Sequence, residues 1–148
     1  MAQGTLTLFE EFSLNIANGT HDMDTDAFKV MLVTEGVGVI TAADGTPDSS
    51  DYTEVTGTGY TAGGEALTTT YTEASGTATF QVTSGATTWS QNGAGFTNAK
   101  TAIVYNTAAV GSDAVAFIDM TADAGTTAVS QQAGNVSITW NPVIFTLS

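Results

Sequence analysis

Apolar and polar residues alternate along most of the chain after Gly19, a two-residue period that predicts β-strands. Residues 26–34 carry apolar side chains at successive even positions and at some odd ones, which predicts a strand buried on one face and partly covered on the other. Seven further strands are predicted, at residues 66–73, 77–83, 87–90, 99–106, 114–120, 136–141 and 143–147. This spacing of short strands predicts a mainly β fold, an antiparallel β-sandwich of the jelly-roll or immunoglobulin-like type.

The residues at the turns and on the strand faces favour the same architecture. Ala74-Ser75-Gly76 separates two strand patterns and predicts a β-hairpin. Threonine is abundant in the predicted strands, where its branched side chain fits a pleated surface and its hydroxyl keeps an outer face wet without adding charge.

The first nineteen residues follow a helical period instead. Their apolar positions recur at helical spacing, at Leu6, Phe9, Phe12 and Ile16. We therefore predict a short N-terminal α-helix over residues 8–17 within a helical segment 1–19. Thr7 and Glu10 have the spacing of a capping box, and Asn18-Gly19 is a plausible stop signal.

Residues 35–64 are the least regular part of the chain. An interval of about 30 residues is longer than an ordinary connection, so it is either a functional loop or contains short elements. We expect a helical turn near residues 49–52. No linker divides the remaining pattern, and the sequence predicts one domain, 1–148.

The charge balance narrows the possible partners. Fifteen acidic residues face only two basic ones, Lys29 and Lys100, so the formal net charge is −13. Nucleic acids and anionic membranes are poor partners for such a chain. No run approaches the ~18 apolar residues of a membrane span, and the start lacks the pattern of a secretory signal, so we expect synthesis in the cytoplasm.

The candidate metal and catalytic patterns are weak. Asp22, Asp24 and Asp26 resemble the opening of a calcium loop, but the later positions that an EF-hand requires are wrong, and no metal site is predicted. His21 is the only histidine and the chain has no cysteine, which removes His-based and Cys-based zinc sites. We expect no cofactor and assign no catalytic residue.

Two further patterns favour structural roles over chemistry. The acidic residues are scattered, so a glycan hydrolase with paired carboxylates is the less favoured alternative, and Trp89 and Trp140 are expected as core or cross-strand residues. Residues 57–64 are rich in glycine but lack a phosphate-binding lysine, and they are expected to permit close approach of the backbone to its neighbours.

Several segments in order along the chain resemble small virion structural proteins of tailed bacteriophages. They are residues 6–9 (LTLF), 24–32 (DTDAFKVML), 54–64 (EVTGTGYTAGG), 102–106 (AIVYN), 116–119 (AFID) and 138–141 (ITWN). The resemblance implies a capsid cement or decoration protein on the exterior of the virion head, a homotrimer bound to the lattice of the major capsid protein. It implies no catalytic residue. Within the irregular segment 35–64, the long loop outside the matching residues 54–64 departs from the family pattern, which indicates an insertion or deletion relative to the family.

The candidate contact residues are aromatic. Phe9 and Phe12 lie on the predicted helix and are candidates for an interface, although the same apolar stripe would also close the open end of its own sandwich. Tyr52 and Tyr60 are the candidates if the protein is instead a tail, baseplate or fibre component that binds a receptor, because glycan binding uses exposed rings in loops.

Overall fold

The computed structural model describes residues 2–141 and 143–147, and it is mainly β. The ten strands are β1 Leu6–Leu8, β2 Phe28–Val33, β3 Glu65–Ala66, β4 Thr69–Ala74, β5 Thr77–Val82, β6 Thr87–Trp89, β7 Thr101–Asn106, β8 Ala114–Asp119, β9 Val136–Ile138 and β10 Val143–Leu147. One α-helix, α1, spans Phe12–Ala17, and 3-10 turns occupy Ala42–Asp44 and Ser49–Asp51. The predicted strands are confirmed, with ends shifted by up to three residues.

The strands form three antiparallel sheets. The first has five strands in the order β1-β8-β7-β2-β3, the second has three in the order β10-β5-β4, and the third pairs β6 with β9. Every pair of neighbouring strands within these sheets is antiparallel. The architecture is consistent with the predicted β-sandwich.

Both faces of the five-stranded sheet are buried, as strand β2 illustrates. Phe28, Val30 and Leu32 belong to the main core, which also contains residues of the two smaller sheets. Met31 and Val33 point to the opposite face and join a second apolar cluster. That cluster lies under the irregular segment after β2, whose Val37, Ile40 and Tyr52 pack on it.

Residues 35–52, the covering segment, therefore lie over the outer face of the main sheet, whereas Val55 and Tyr60 later in the irregular segment 35–64 pack with the main core. Its two 3-10 turns each carry a capping box, in which Asp44 and Asp51 accept hydrogen bonds from the backbone at Thr41 and Asp48. The turn at Ser49–Asp51 confirms the helical turn expected near residues 49–52.

The N-terminal helix is shorter than predicted. Residues 6–8 form strand β1, which pairs with β8, and the α-helix begins only at Phe12. The capping box of Thr7 and Glu10 is wrong, since the N-cap is Glu11 and its side chain makes no capping hydrogen bond. Leu6-Thr7-Leu8 also alternates at the strand period, and pairing with a neighbouring strand outweighs a weak helical preference.

The hairpin of β4 and β5 is confirmed. Ser75 and Gly76 are its two loop residues, and both have positive φ, at 54° and 83°. This is the backbone of a type I′ turn, whose twist matches that of the flanking strands. In such a two-residue hairpin the residues that close the turn, Ala74 and Thr77, form a hydrogen-bonded pair. Hydrogen-bonded and non-hydrogen-bonded pairs then alternate along β4 and β5, so the turn determines which backbone groups of β5 face β4.

Candidate interaction surface

Phe9 and Phe12 lie inside the molecule and are not on its surface. Phe9 is 2% exposed and packs on Phe117 with ring centroids 5.2 Å apart. Phe12 is 4% exposed and meets Phe145 edge-on at 4.9 Å. Phe9 belongs to the second apolar cluster on the outer face of the main sheet and Phe12 to the main core, so neither ring is exposed as the contact that the sequence suggested.

Tyr60 is held by hydrogen bonds at the edge of the main sheet. Its hydroxyl accepts from the backbone N–H of Leu32 at 3.0 Å and donates to a carboxylate oxygen of Glu54 at 2.8 Å. Burial raises the pKa of Tyr60 well above its usual value. The ring also stacks on Trp89 and meets Phe96 edge-on. Tyr60 is therefore a structural residue in this fold.

The glycines around Tyr60 allow the loop to approach β2. A Cβ on Gly64 would collide with the backbone of Val30 and Met31, and Gly64 has a φ of +70°. A Cβ on Gly57 would collide with the backbone of Gly95 and Phe96. The expected close approach of this glycine series is confirmed.

Tyr52 is a half-buried residue of the covering segment and packs on the second apolar cluster. No hydrogen-bond partner for its buried hydroxyl is found among the described residues. Burial raises the pKa of Tyr52, and the nearby carboxylates of Asp44, Asp51 and Glu35 raise it further. The ring is not an exposed platform of the kind that glycan binding uses.

His21 is buried in a polar network that sequence reasoning missed. Asn106 donates through its amide nitrogen to Asp26 at 2.6 Å and lies 3.1 Å from Nδ1 of His21. The amide oxygen of Asn106 accepts from the backbone N–H of Ala108, which fixes the orientation of the amide. Nδ1 is therefore an acceptor and His21 is neutral. Burial lowers the pKa of His21, and Asp26 opposes this shift.

Asp48 and Asp113 form a carboxyl pair. The two residues lie far apart in the sequence, so sequence reasoning does not predict this pair. Their backbones form an isolated antiparallel bridge between the covering segment and the turn before β8. Burial and the adjacent carboxylate of Asp48 raise the pKa of Asp113. The two carboxyl groups therefore repel each other when both are ionised.

Charge is distributed unequally between the two layers of the sandwich. The covering segment, residues 35–52, carries four carboxylates, at Glu35, Asp44, Asp48 and Asp51. By contrast, Glu73 is the one charged residue in the strands of the two smaller sheets. Residues 74–99 and 124–141 contain no charged residue at all. The molecule therefore has an acidic layer and a nearly uncharged, threonine-rich layer.

The surface cavities are lined mostly by small and uncharged residues. One of about 300 Å³ lies between Met120 and the segment 128–137, and another of about 400 Å³ lies between the N-terminal segment and β10. Across residues 2–141 and 143–147, no three His, Asp or Glu side chains are grouped to hold a metal ion. No helix within those ranges is both long and apolar enough to span a membrane.

No protein-family model, curated protein or solved structure matches this chain. Its role is therefore inferred from its residues and its geometry.

Proposed function

We propose that this chain is a structural protein of a bacteriophage virion, a cement or decoration protein that stabilises the head lattice by non-covalent contacts. The observation that carries the proposal is the division of one rigid sandwich into an acidic layer and an uncharged layer. An adhesive protein needs a stiff body with two different faces, and it needs no reaction centre. The sequence resemblance to small phage virion proteins supports the same role.

The acidic layer suits contact with the capsid. Asp44 and Asp51 are exposed on it, and they would favour a basic docking surface on the shell of the major capsid protein. The high net charge would also keep free copies apart before assembly.

The uncharged layer suits contact between copies. Adjacent copies of a chain with net charge −13 repel one another unless they meet where few carboxylates lie. At ~0.15 M salt the repulsion is screened beyond about 8 Å, so a threonine-rich contact is permitted even in such an acidic protein. We propose a homotrimer on the capsid exterior.

Sedimentation with capsid shells tests the docking. The purified chain is mixed with shells from which it has been stripped, and its binding is followed from about 50 to 500 mM salt. We expect it to co-sediment, and to bind less as salt rises, because charged contacts are screened. Asp44→Asn with Asp51→Asn is expected to weaken binding more than the matched pair Asp22→Asn with Asp24→Asn. A chain that never co-sediments with shells would contradict the proposal.

A further inference from the structure

The two edges of the three-stranded sheet differ from the edges of the five-stranded main sheet. The five-stranded sheet ends in β1 and β3, which are only three and two residues long. Beyond β3 the edge of β2 is covered, because Val55 donates to the carbonyl of Leu32 and Tyr60 accepts from its N–H. Short and covered edges are the usual protection against unwanted strand pairing.

The three-stranded sheet lacks this protection. Its edge strands are β4 and β10, with six and five residues, and each has a neighbour on one side only within the described chain. Apart from Glu73, neither strand carries a charge that would discourage pairing. Val143 and Leu147 on β10 are 38% and 40% exposed.

We propose that β4 and β10 are the self-association surface of this protein, and that β10 of one copy pairs with β4 of the next. Pairing of these two different edges is a head-to-tail contact, which uses both free edges of every copy once the ring closes. Three copies would join three sheets of three strands into one ring. Pairing of β10 with a second β10 would leave both β4 edges open.

Charge favours a second copy as the partner on this sheet. The outer face of its strands presents uncharged side chains, as at Thr72, Thr79 and Thr146. Two copies that meet here bring together only Glu73, whose carboxylate already accepts a hydrogen bond from the backbone N–H of Gly76 in its own turn. Contact through the acidic layer would instead bring many carboxylates together.

The register of the sheet provides a clean cross-linking test. Thr72, Thr79 and Thr146 lie opposite one another in one row across β4, β5 and β10. Thr72 and Thr146 are therefore separated by two strand spacings, roughly 10 Å. This exceeds the ~7 Å limit for a disulfide, so cysteines at these positions cannot bridge within one copy. The natural chain contains no cysteine that could interfere.

The experiment mixes single-cysteine variants under mild oxidation. Thr146→Cys is combined in turn with Thr70→Cys, Thr72→Cys and Ala74→Cys, which sample the register along β4. We expect at least one mixed disulfide to exceed the Thr146→Cys homodimer by about tenfold, and light scattering of the unmodified chain to give three times the mass of one chain. A dominant Thr146→Cys homodimer, or an unmodified chain that stays monomeric at tens of micromolar, would overturn the proposal.

A backbone substitution provides the second test. The hydrogen-bonded pair at the turn makes Thr79 hydrogen-bond toward β4, so the pair of Thr79 with Thr146 on its other side is not hydrogen-bonded. The backbone N–H of Thr146 therefore faces away from β5. Proline is tolerated at such a position of an edge strand. Thr146→Pro should therefore give folded monomers, whereas the control Thr146→Ala keeps the N–H and should stay oligomeric. If Thr146→Pro fails to fold, the cysteine mixtures still decide.

The edge contact does not depend on the proposed virion role, from which only the number three is taken. Shells are absent from these experiments. A monomer that still binds shells would reject both the contact between β4 and β10 and the proposed trimer, and it would leave the proposed docking to the capsid standing.

Discussion

The hydroxyl of Tyr60 accepts a hydrogen bond from the backbone N–H of Leu32 at 3.0 Å. It takes the place that the carbonyl of a neighbouring strand would occupy. The edge of β2 is thus completed by a side chain where β3 has already ended. This contact links the glycine-rich segment to the main sheet and explains why an aromatic residue lies among those glycines.

Removal of the Tyr60 hydroxyl should destabilise the fold. In Tyr60→Phe the N–H of Leu32 loses its acceptor in a partly buried site, which costs about 1–3 kcal/mol in the free energy of unfolding. Tyr52→Phe is the matched control, because the buried hydroxyl of Tyr52 has no hydrogen-bond partner in the described part of the chain and its loss should be neutral or stabilising. Urea unfolding of both variants measures the difference, and equal losses would contradict this assignment.

A methyl group at Gly64 should be far more harmful than one at Gly93. Gly64→Ala combines a positive φ with a collision against the backbone of β2, and we expect a loss of more than about 3 kcal/mol or failure to fold. No atom of residues 2–141 or 143–147 lies within 4 Å of a Cβ built on Gly93, so Gly93→Ala should change stability by less than about 0.5 kcal/mol. Thermal unfolding followed by circular dichroism compares the two, and similar melting temperatures would refute the close packing at Gly64.

Stability should fall as the pH is lowered past the ordinary pKa of histidine. The folded-state pKa of His21 lies below its unfolded value of 6.5, so the unfolded chain binds the proton first. The contribution is therefore complete above pH 6.5 and is lost as the pH falls toward the folded pKa, with a slope of at most about 1.4 kcal/mol per pH unit.

Comparison with His21→Gln separates the effect of His21 protonation on stability from the effect of carboxylate protonation. The wild-type chain should lose more stability than His21→Gln between pH 7 and pH 5. Because the chain has a single histidine, proton NMR follows its titration directly. A midpoint above 6.5 in the folded state would contradict the neutral, buried ring.

Asp113 should contribute a pH dependence of stability that is opposite in sign to that of His21. Its folded-state pKa is raised above 3.8, so the wild-type chain loses stability as the pH rises from 3.8 through the folded pKa. Asp113→Asn replaces the carboxylate with a neutral amide and removes the repulsion with Asp48, and should gain less than about 1 kcal/mol at pH 7 because the pair is partly hydrated. Denaturant unfolding at pH 4 and pH 7 measures this. A larger gain at pH 4 than at pH 7 would contradict the assignment.

The strands could be predicted from the sequence because their signals are local. Alternation in residues 26–34 and the turn at Ser75-Gly76 lie within a few residues of each other and agree with the final fold. The sequence Leu6-Thr7-Leu8 is ambiguous, because three residues are too few to distinguish the two-residue period of a strand from the 3.6-residue period of a helix.

The candidate surface was predictable only in part. Acidity and the uncharged segments are visible in the sequence, but their separation into two layers depends on which loops cover the main sheet. The burial of Phe9 and the pairing of Asp48 with Asp113 depend on contacts between residues far apart in the chain. No local period contains that information.

The number of copies in each virion tests the central claim most directly. Quantitative mass spectrometry of purified particles compares peptides of this chain with peptides of the major capsid protein. A cement protein spread over the head lattice should be present in hundreds of copies, in a fixed ratio to the capsid protein. A dozen copies or fewer would place it in the tail or a fibre, and its absence from purified particles would contradict a structural role in the virion.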